Sequence, residues 1–150
     1  MIVRSALKED ARVIASFQLA MAMETEQLVL DPETVDKGVM AVFNNPSLGS
    51  YYVAEKEGEV IGSLLTTYEW SDWRNGTVLW IQSVYVLPQH RRQGVYRHLY
   101  GYLQQLVLAD PALRGIRLYA DKSNVNAHKT YQNLGMSADH YQTFEWMKKF

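Results

Sequence analysis

The stretch that most constrains this chain runs from Thr77 to Ala120. "TVLWIQSVYVL" is rich in β-branched and aromatic residues, and Pro88 stops it, which predicts a long strand. Val95, Leu99, Tyr102, Leu103 and Leu106 then recur at helical spacing, predicting a helix from about Gly94 to Ala109. Gly115 precedes a further short strand, "IRLYA". A strand, a helix and a strand in this order close as a right-handed parallel crossover. Ligands of open α/β sheets bind at the carboxyl ends of such strands. The loop at that end, "LPQHRRQGV", leads into a helix start, where free N–H groups and the positive end of a dipole attract anions. Gly94 removes a Cβ that would block close approach, and Arg91 and Arg92 can add charge-assisted bonds to phosphate oxygens. Read alone, the loop is either a phosphate cradle or a solvated turn.

The remaining segments fit one domain spanning residues 1–150. "MIVRSAL" predicts a first strand, and Val13, Phe17, Ala20 and Met21 mark an amphipathic helix from Lys8 to about Met23. "DPETVDKGVMAVFNNP" predicts a second helix, with Asp31 as N-cap, Pro32 at the first position and Val35, Val39, Val42 and Phe43 as its apolar stripe. "SYYVAEKEGEVIGSLLTTYEW" reads as two strands turned at Glu57–Gly58. A polar loop, "SDWRNG", with a turn at Asn75–Gly76, leads into the long strand. "NVNAHKTYQNLG" predicts a helix closed by Gly135, and "HYQTFEWMKKF" predicts a last strand. The expected order is β-α-α-β-β-β-α-β-α-β. The expected class is α/β (α+β), a mixed and mostly antiparallel sheet with four helices on both faces.

Composition narrows the chemistry. With 15 basic and 16 acidic residues the net charge is −1, so any anion site is local and nucleic acid is not an expected partner. Cysteine is absent, which removes thiolate ligands and nucleophiles. His90, His98, His128 and His140 form no metal-binding signature, so no metal is expected. No apolar run is long enough for a membrane span, and the N-terminus lacks a signal-peptide core, so a cytoplasmic location is expected.

Two motifs carry a resemblance. "VYVLPQHRRQGVYRHLYGYL" is similar to the acetyl-CoA-binding motif of the GNAT superfamily of acyl-CoA N-acyltransferases. That motif is a strand, a Pro, then Arg/Gln-x-x-Gly-x-Gly/Ala opening a helix. Here it reads Arg91-Arg92-Gln93-Gly94-Val95-Tyr96. Asn124, Ala127 and Tyr131, followed by Leu134-Gly135-Met136, resemble the family's second motif. The motifs fall in the family's order, and the resemblance spans nearly the whole chain.

The resemblance implies a sheet of six to seven strands, with acetyl-CoA (coenzyme A) as donor. Its diphosphate would sit on the N–H groups from Arg92 to Arg97, with Arg91 beside them. The strand end Val84-Tyr85-Val86 would part from its parallel neighbour and offer backbone bonds to the pantetheine arm, with Asn124 bonding the arm as well. Tyr96 stands where the family has a small residue. Its ring is expected to point away from the phosphates, beside the cofactor or against the next helix. Met136 replaces an aromatic. Gln82 stands where many relatives carry a Glu, and an amide does not accept a proton at neutral pH.

Amine acetylation needs a deprotonated amine, a polarised thioester carbonyl and help for the leaving thiolate. N–H groups near Val84 can stabilise the oxyanion. Tyr131 is the candidate acid, because phenol and thiol pKa values lie within about two units. Glu24, Glu26, Glu69 and Asp72 are the candidate bases, and a water chain with no dedicated base is the other expectation. Grouped carboxylates would favour a cationic acceptor. The acceptor is expected to be a small-molecule or peptide amine. The alternative is an acyl-CoA-binding sensor module without turnover. Trp70 and Trp73 fit packing or a subunit contact better than a cation–π wall, and with Tyr141 and Trp146 they suit a homodimer.

Overall fold

A computed structural model describes residues 1–149. Contacts divide the chain into two compact units, Met1–Arg117 and the residues that follow. The first unit holds β1 (Ile2–Ser5), α1 (Ala11–Glu26), α2 (Pro32–Asn44), β2 (Ser50–Lys56), β3 (Glu59–Ser71), β4 (Gly76–Val86), α3 (Val95–Ala109) and β5 (Leu113–Arg117). The second holds α4 (Val125–Asn133).

The five strands form one sheet in the order β1-β2-β3-β4-β5. All neighbours are antiparallel except β4 and β5, the expected parallel crossover. Adjacent residues of β2 point to opposite faces, as the strand period requires. Tyr51 stacks on Phe43 of α2, while Tyr52 packs on Tyr102 of α3. So α1 and α2 cover one face and α3 the other. On the first face Ile14, Ala15, Val39, Tyr51 and Val53 form a buried cluster. On the second, Val95, Leu99 and Leu103 bury the inner side of α3.

Local signals set most boundaries. Asp31 caps α2 by accepting from the Thr34 N–H at 3.1 Å, and Pro32 follows at the first helical position. Glu57 (φ 52°) and Gly58 (φ 79°) make the tight β2–β3 turn with both central residues left-handed. Gly135 (φ 90°) ends α4, with N–H bonds from Gly135 to the Gln132 carbonyl and from Met136 to that of Tyr131, both at 3.0 Å. The stripe of α1 is rotated from the expected one. Ala11, Ile14, Ala15, Phe17 and Ala22 are buried, while Val13, Ala20 and Met21 are only partly so.

The strand count needs correction: among the described residues there are five strands, not six to seven. Residues 140–149 of the expected last strand carry no strand structure, and Phe150 lies outside the described residues. Tyr141, Phe144, Trp146 and Met147 are all at least three-quarters exposed. Aromatic content gives a segment the capacity to pair. A strand exists only where a ladder partner takes up its N–H and C=O groups.

Candidate active site

The loop after β4 is built for free amides. A 3-10 turn, Pro88–His90, carries the chain off the strand. Arg92 (φ 62°) and Gly94 (φ 80°) then both turn left-handed. The first α-helical bond of α3 runs from the His98 N–H to the Gly94 carbonyl at 3.0 Å. The N–H groups of Val95, Tyr96 and Arg97 therefore precede the intrahelical ladder. No side chain caps this helix. A Cβ on Gly94 would meet nothing nearer than His98 Nδ1 at 3.7 Å, so glycine is needed there for its backbone angle and not for space. Arg92, Gln93, Gly94 and Arg97 are exposed, and Val95 is buried. The Tyr96 ring stacks on Tyr100 one turn along its own helix, with centroids 6.2 Å apart.

The strand before the loop has an open edge. β5 pairs with β4 only from Thr77 to Trp80, which leaves Ile81–Val86 without a strand neighbour on that side among the described residues. On the other side, the register against β3 shifts between Ser63 and Leu65, opposite Gln82 to Tyr85. Ser83 sits at φ 53° within this bulge. Sequence reading missed both Ser83 and Gly62. Gly62 lies opposite Val86, and a Cβ there would come within 3.1 Å of Val95 Cγ1 and of the Tyr85 carbonyl. Its bare backbone lets the start of α3 sit against β3. A glycine inside a strand pattern was the available signal.

Glu24, on the last turns of α1, reaches this region. Arg91 Nη2 donates to both Glu24 carboxylate oxygens at 3.2 Å, and Arg91 Nε donates to the Val86 carbonyl at 2.9 Å. The guanidinium lies 5.3 Å from the centroid of the Tyr85 ring, which packs on Phe17 of α1. Burial pushes the Tyr85 phenol above its ordinary pKa, and the adjoining Glu24 carboxylate adds to the rise.

Glu69 has a different setting. It lies seven residues further along β3 than the Gly62–Val86 pair, about 23 Å at ~3.3 Å per residue. Its carboxylate accepts from Trp80 Nε1 at 2.7 Å and from Arg117 Nη1 at 2.5 Å. The Trp80 bond, then Arg117, hold its pKa below the usual carboxylate range. Both oxygens are engaged, which suits a fixed anion and not a proton acceptor. Glu26 is exposed at the end of α1, and Asp72 is exposed in the β3–β4 turn. Gln82 donates to Thr67 Oγ1 across the sheet at 2.6 Å. Trp70 and Trp73 are 65% and 92% exposed, so neither ring is packed away within the chain.

Asn124 and Tyr131 belong to the second unit. The Asn124 side-chain oxygen accepts from the Ala127 N–H at 3.1 Å and caps α4. That commits the oxygen, so a bond from Asn124 to a cofactor arm would come from its amide N–H groups. Tyr131 is half-buried, and burial pushes its phenol above the ordinary value. The phenol therefore stays protonated at neutral pH, the form an acid needs. Among the described residues, no helix is long and apolar enough to cross a membrane, and no group of three or more His, Asp or Glu could hold a metal ion.

Comparison with known proteins agrees with this geometry. The model of the acetyltransferase (GNAT) family matches residues 15–136. A possible acetyltransferase from Clostridium difficile 630 is similar at 39% identity and a TM-score of 0.92, over 99% of this chain and 98% of that one. A ribosomal-protein-alanine N-acetyltransferase from Brucella melitensis biovar Abortus 2308 shares the fold at 15% identity and a TM-score of 0.77, over 98% and 100% of the two chains. A predicted acetyltransferase with acetyl-CoA from Clostridium acetobutylicum shares it at 19% identity and a TM-score of 0.73, over 96% and 95%. No curated protein matches the chain. The mixed sheet with its parting parallel pair is the frame of an acyltransferase. The chain belongs to the GNAT acetyltransferase family.

Proposed function

We propose that the protein is an N-acetyltransferase that moves an acetyl group from acetyl-CoA to a primary amine of a small molecule or peptide, by direct attack in a ternary complex. The observation that carries this is the left-handed Arg92–Gly94 turn, which opens α3 with N–H groups that precede the intrahelical ladder, next to the end of β4 that β5 leaves after Trp80. Phosphate oxygens fit that turn, because Gly94 presents N–H groups and no Cβ. The edge at Val84, Tyr85 and Val86 fits an extended amide-bearing arm. Acetyl-CoA supplies an activated thioester when bound. The chain's own groups do the rest. N–H groups near Val84 stabilise charge developing on the carbonyl oxygen. Glu24, whose partner Arg91 also bonds the Val86 carbonyl at the end of β4, takes the proton of the amine in preference to Glu69, which lies seven residues further along β3. Tyr131 gives its phenolic proton to the departing thiolate.

Titration with acetyl-CoA and a panel of amines, read by release of free thiol, tests this. Saturable binding and thiol release with at least one amine are expected. Absence of binding at millimolar acetyl-CoA overturns the reading. Binding without release across the panel favours the sensor module, which Gln82 in place of a carboxylate also fits. Tyr131→Phe is expected to lower kcat by about a hundredfold or more while leaving acetyl-CoA affinity unchanged. An unchanged kcat removes the acid role.

A further inference from the structure

Arg91 opens the loop assigned above to a diphosphate, yet its side chain is turned back toward β4 and α1. Its Nε covers the Val86 carbonyl at 2.9 Å, and its Nη2 bridges both oxygens of Glu24 at 3.2 Å. The Tyr85 ring lies under the guanidinium at 5.3 Å and is itself fixed on Phe17. One side chain thus engages both a carbonyl at the end of β4 and the carboxylate proposed above as base. Both charged side chains remain substantially exposed, 44% for Arg91 and 38% for Glu24. An exposed pair of this kind biases an equilibrium by no more than about fivefold. A diphosphate offers more charge and, like a carboxylate, a pair of oxygens to a planar guanidinium. The contact is therefore weak enough to exchange and specific enough to register that exchange.

We propose that Glu24 and Arg91 form a latch: an arriving diphosphate competes with Glu24 for the Arg91 guanidinium, so donor binding raises the fraction of the protein in which the carboxylate is uncovered. The proposal rests on reading residues 91–97 as the diphosphate site. In the unliganded protein Glu24 is neutralised by its partner and holds a cationic amine poorly. Once Arg91 turns to the phosphates, Glu24 loses its cation and the site favours a positively charged amine over a neutral or anionic one. The Val86 carbonyl is freed in the same movement.

Calorimetric titration of acetyl-CoA into the wild type, Glu24→Gln, Arg91→Gln and the double variant tests the competition. Glu24→Gln is expected to tighten acetyl-CoA about two- to fivefold, and the same change in the Arg91→Gln background is expected to have no effect. Tightening of equal size in both backgrounds would mean that Glu24 acts only by through-space repulsion, and the latch is overturned. An unchanged or weakened affinity in Glu24→Gln overturns it as well. Failure of all four proteins to bind overturns the diphosphate site itself, a separate outcome from failure of the latch alone. Both side chains are exposed, and a melting curve for each variant confirms folding.

Discussion

Gly94 shows how one backbone angle can matter more than any side chain. Its neighbourhood is open, so an added methyl group meets no wall. The angle is the obstacle, because φ of 80° costs an L-residue about 1–2 kcal/mol. Gly94→Ala is therefore expected to lower Tm by a few degrees and, by rotating the free amides, to weaken acetyl-CoA binding by a larger factor than its stability loss suggests. Thermal melting with calorimetric titration checks both. This residue was legible in the sequence, because glycine before an apolar helix pattern has a local cause. Ser83 was not. Its left-handed angle follows from two strands running out of register, and no single-strand pattern reports a mismatch with a partner. Glu24 was legible only as one carboxylate among four. What distinguishes it is a guanidinium 67 positions away in the chain.

Among the elements, the junction of β1 and α1 carries a testable electrostatic contact. Arg4 grips Asp10 with two bonds, 2.7 and 3.2 Å, and Asp10 also accepts from the Leu7 N–H at 2.7 Å. The Arg4 hydrogen bond, then the Leu7 N–H, hold the Asp10 carboxyl below its ordinary pKa against the opposing effect of burial. A pKa depressed by folding means that the contribution is complete above the unfolded value, near 3.9, and drains away as pH falls through the folded value. Asp10→Asn is expected to cost about 1–3 kcal/mol at pH 7 and to flatten the loss of stability on the acid side. Urea unfolding at pH 3 to 7 measures both. Elements closed by local chemistry were readable in advance. The Asp31 cap, the Glu57–Gly58 turn, the start of α3 and the Gly135 stop all fall where their residues place them. The segment from residue 140 was misread because its aromatic residues give a strand's composition without supplying the strand's partner.

For the whole molecule, a chain of net charge −1 concentrates Arg91, Arg92 and Arg97 at one end of one strand, around the turn proposed to hold phosphates. Its overall field does little, and the local frame does the selecting.

The bulge at Ser83 has a kinetic meaning. A left-handed serine inside a strand is a fixed cost of folding, so the bulge that β4 makes against β3 is built in before any ligand arrives. Only side chains such as Arg91 need to move, and they do so within nanoseconds. Stopped-flow mixing with acetyl-CoA is therefore expected to give a single exponential whose rate rises linearly with concentration. A rate that reached a plateau would reveal a slow backbone opening instead. The serine would then be holding a closed door, where a linear rate makes it a doorway cut when the chain folded.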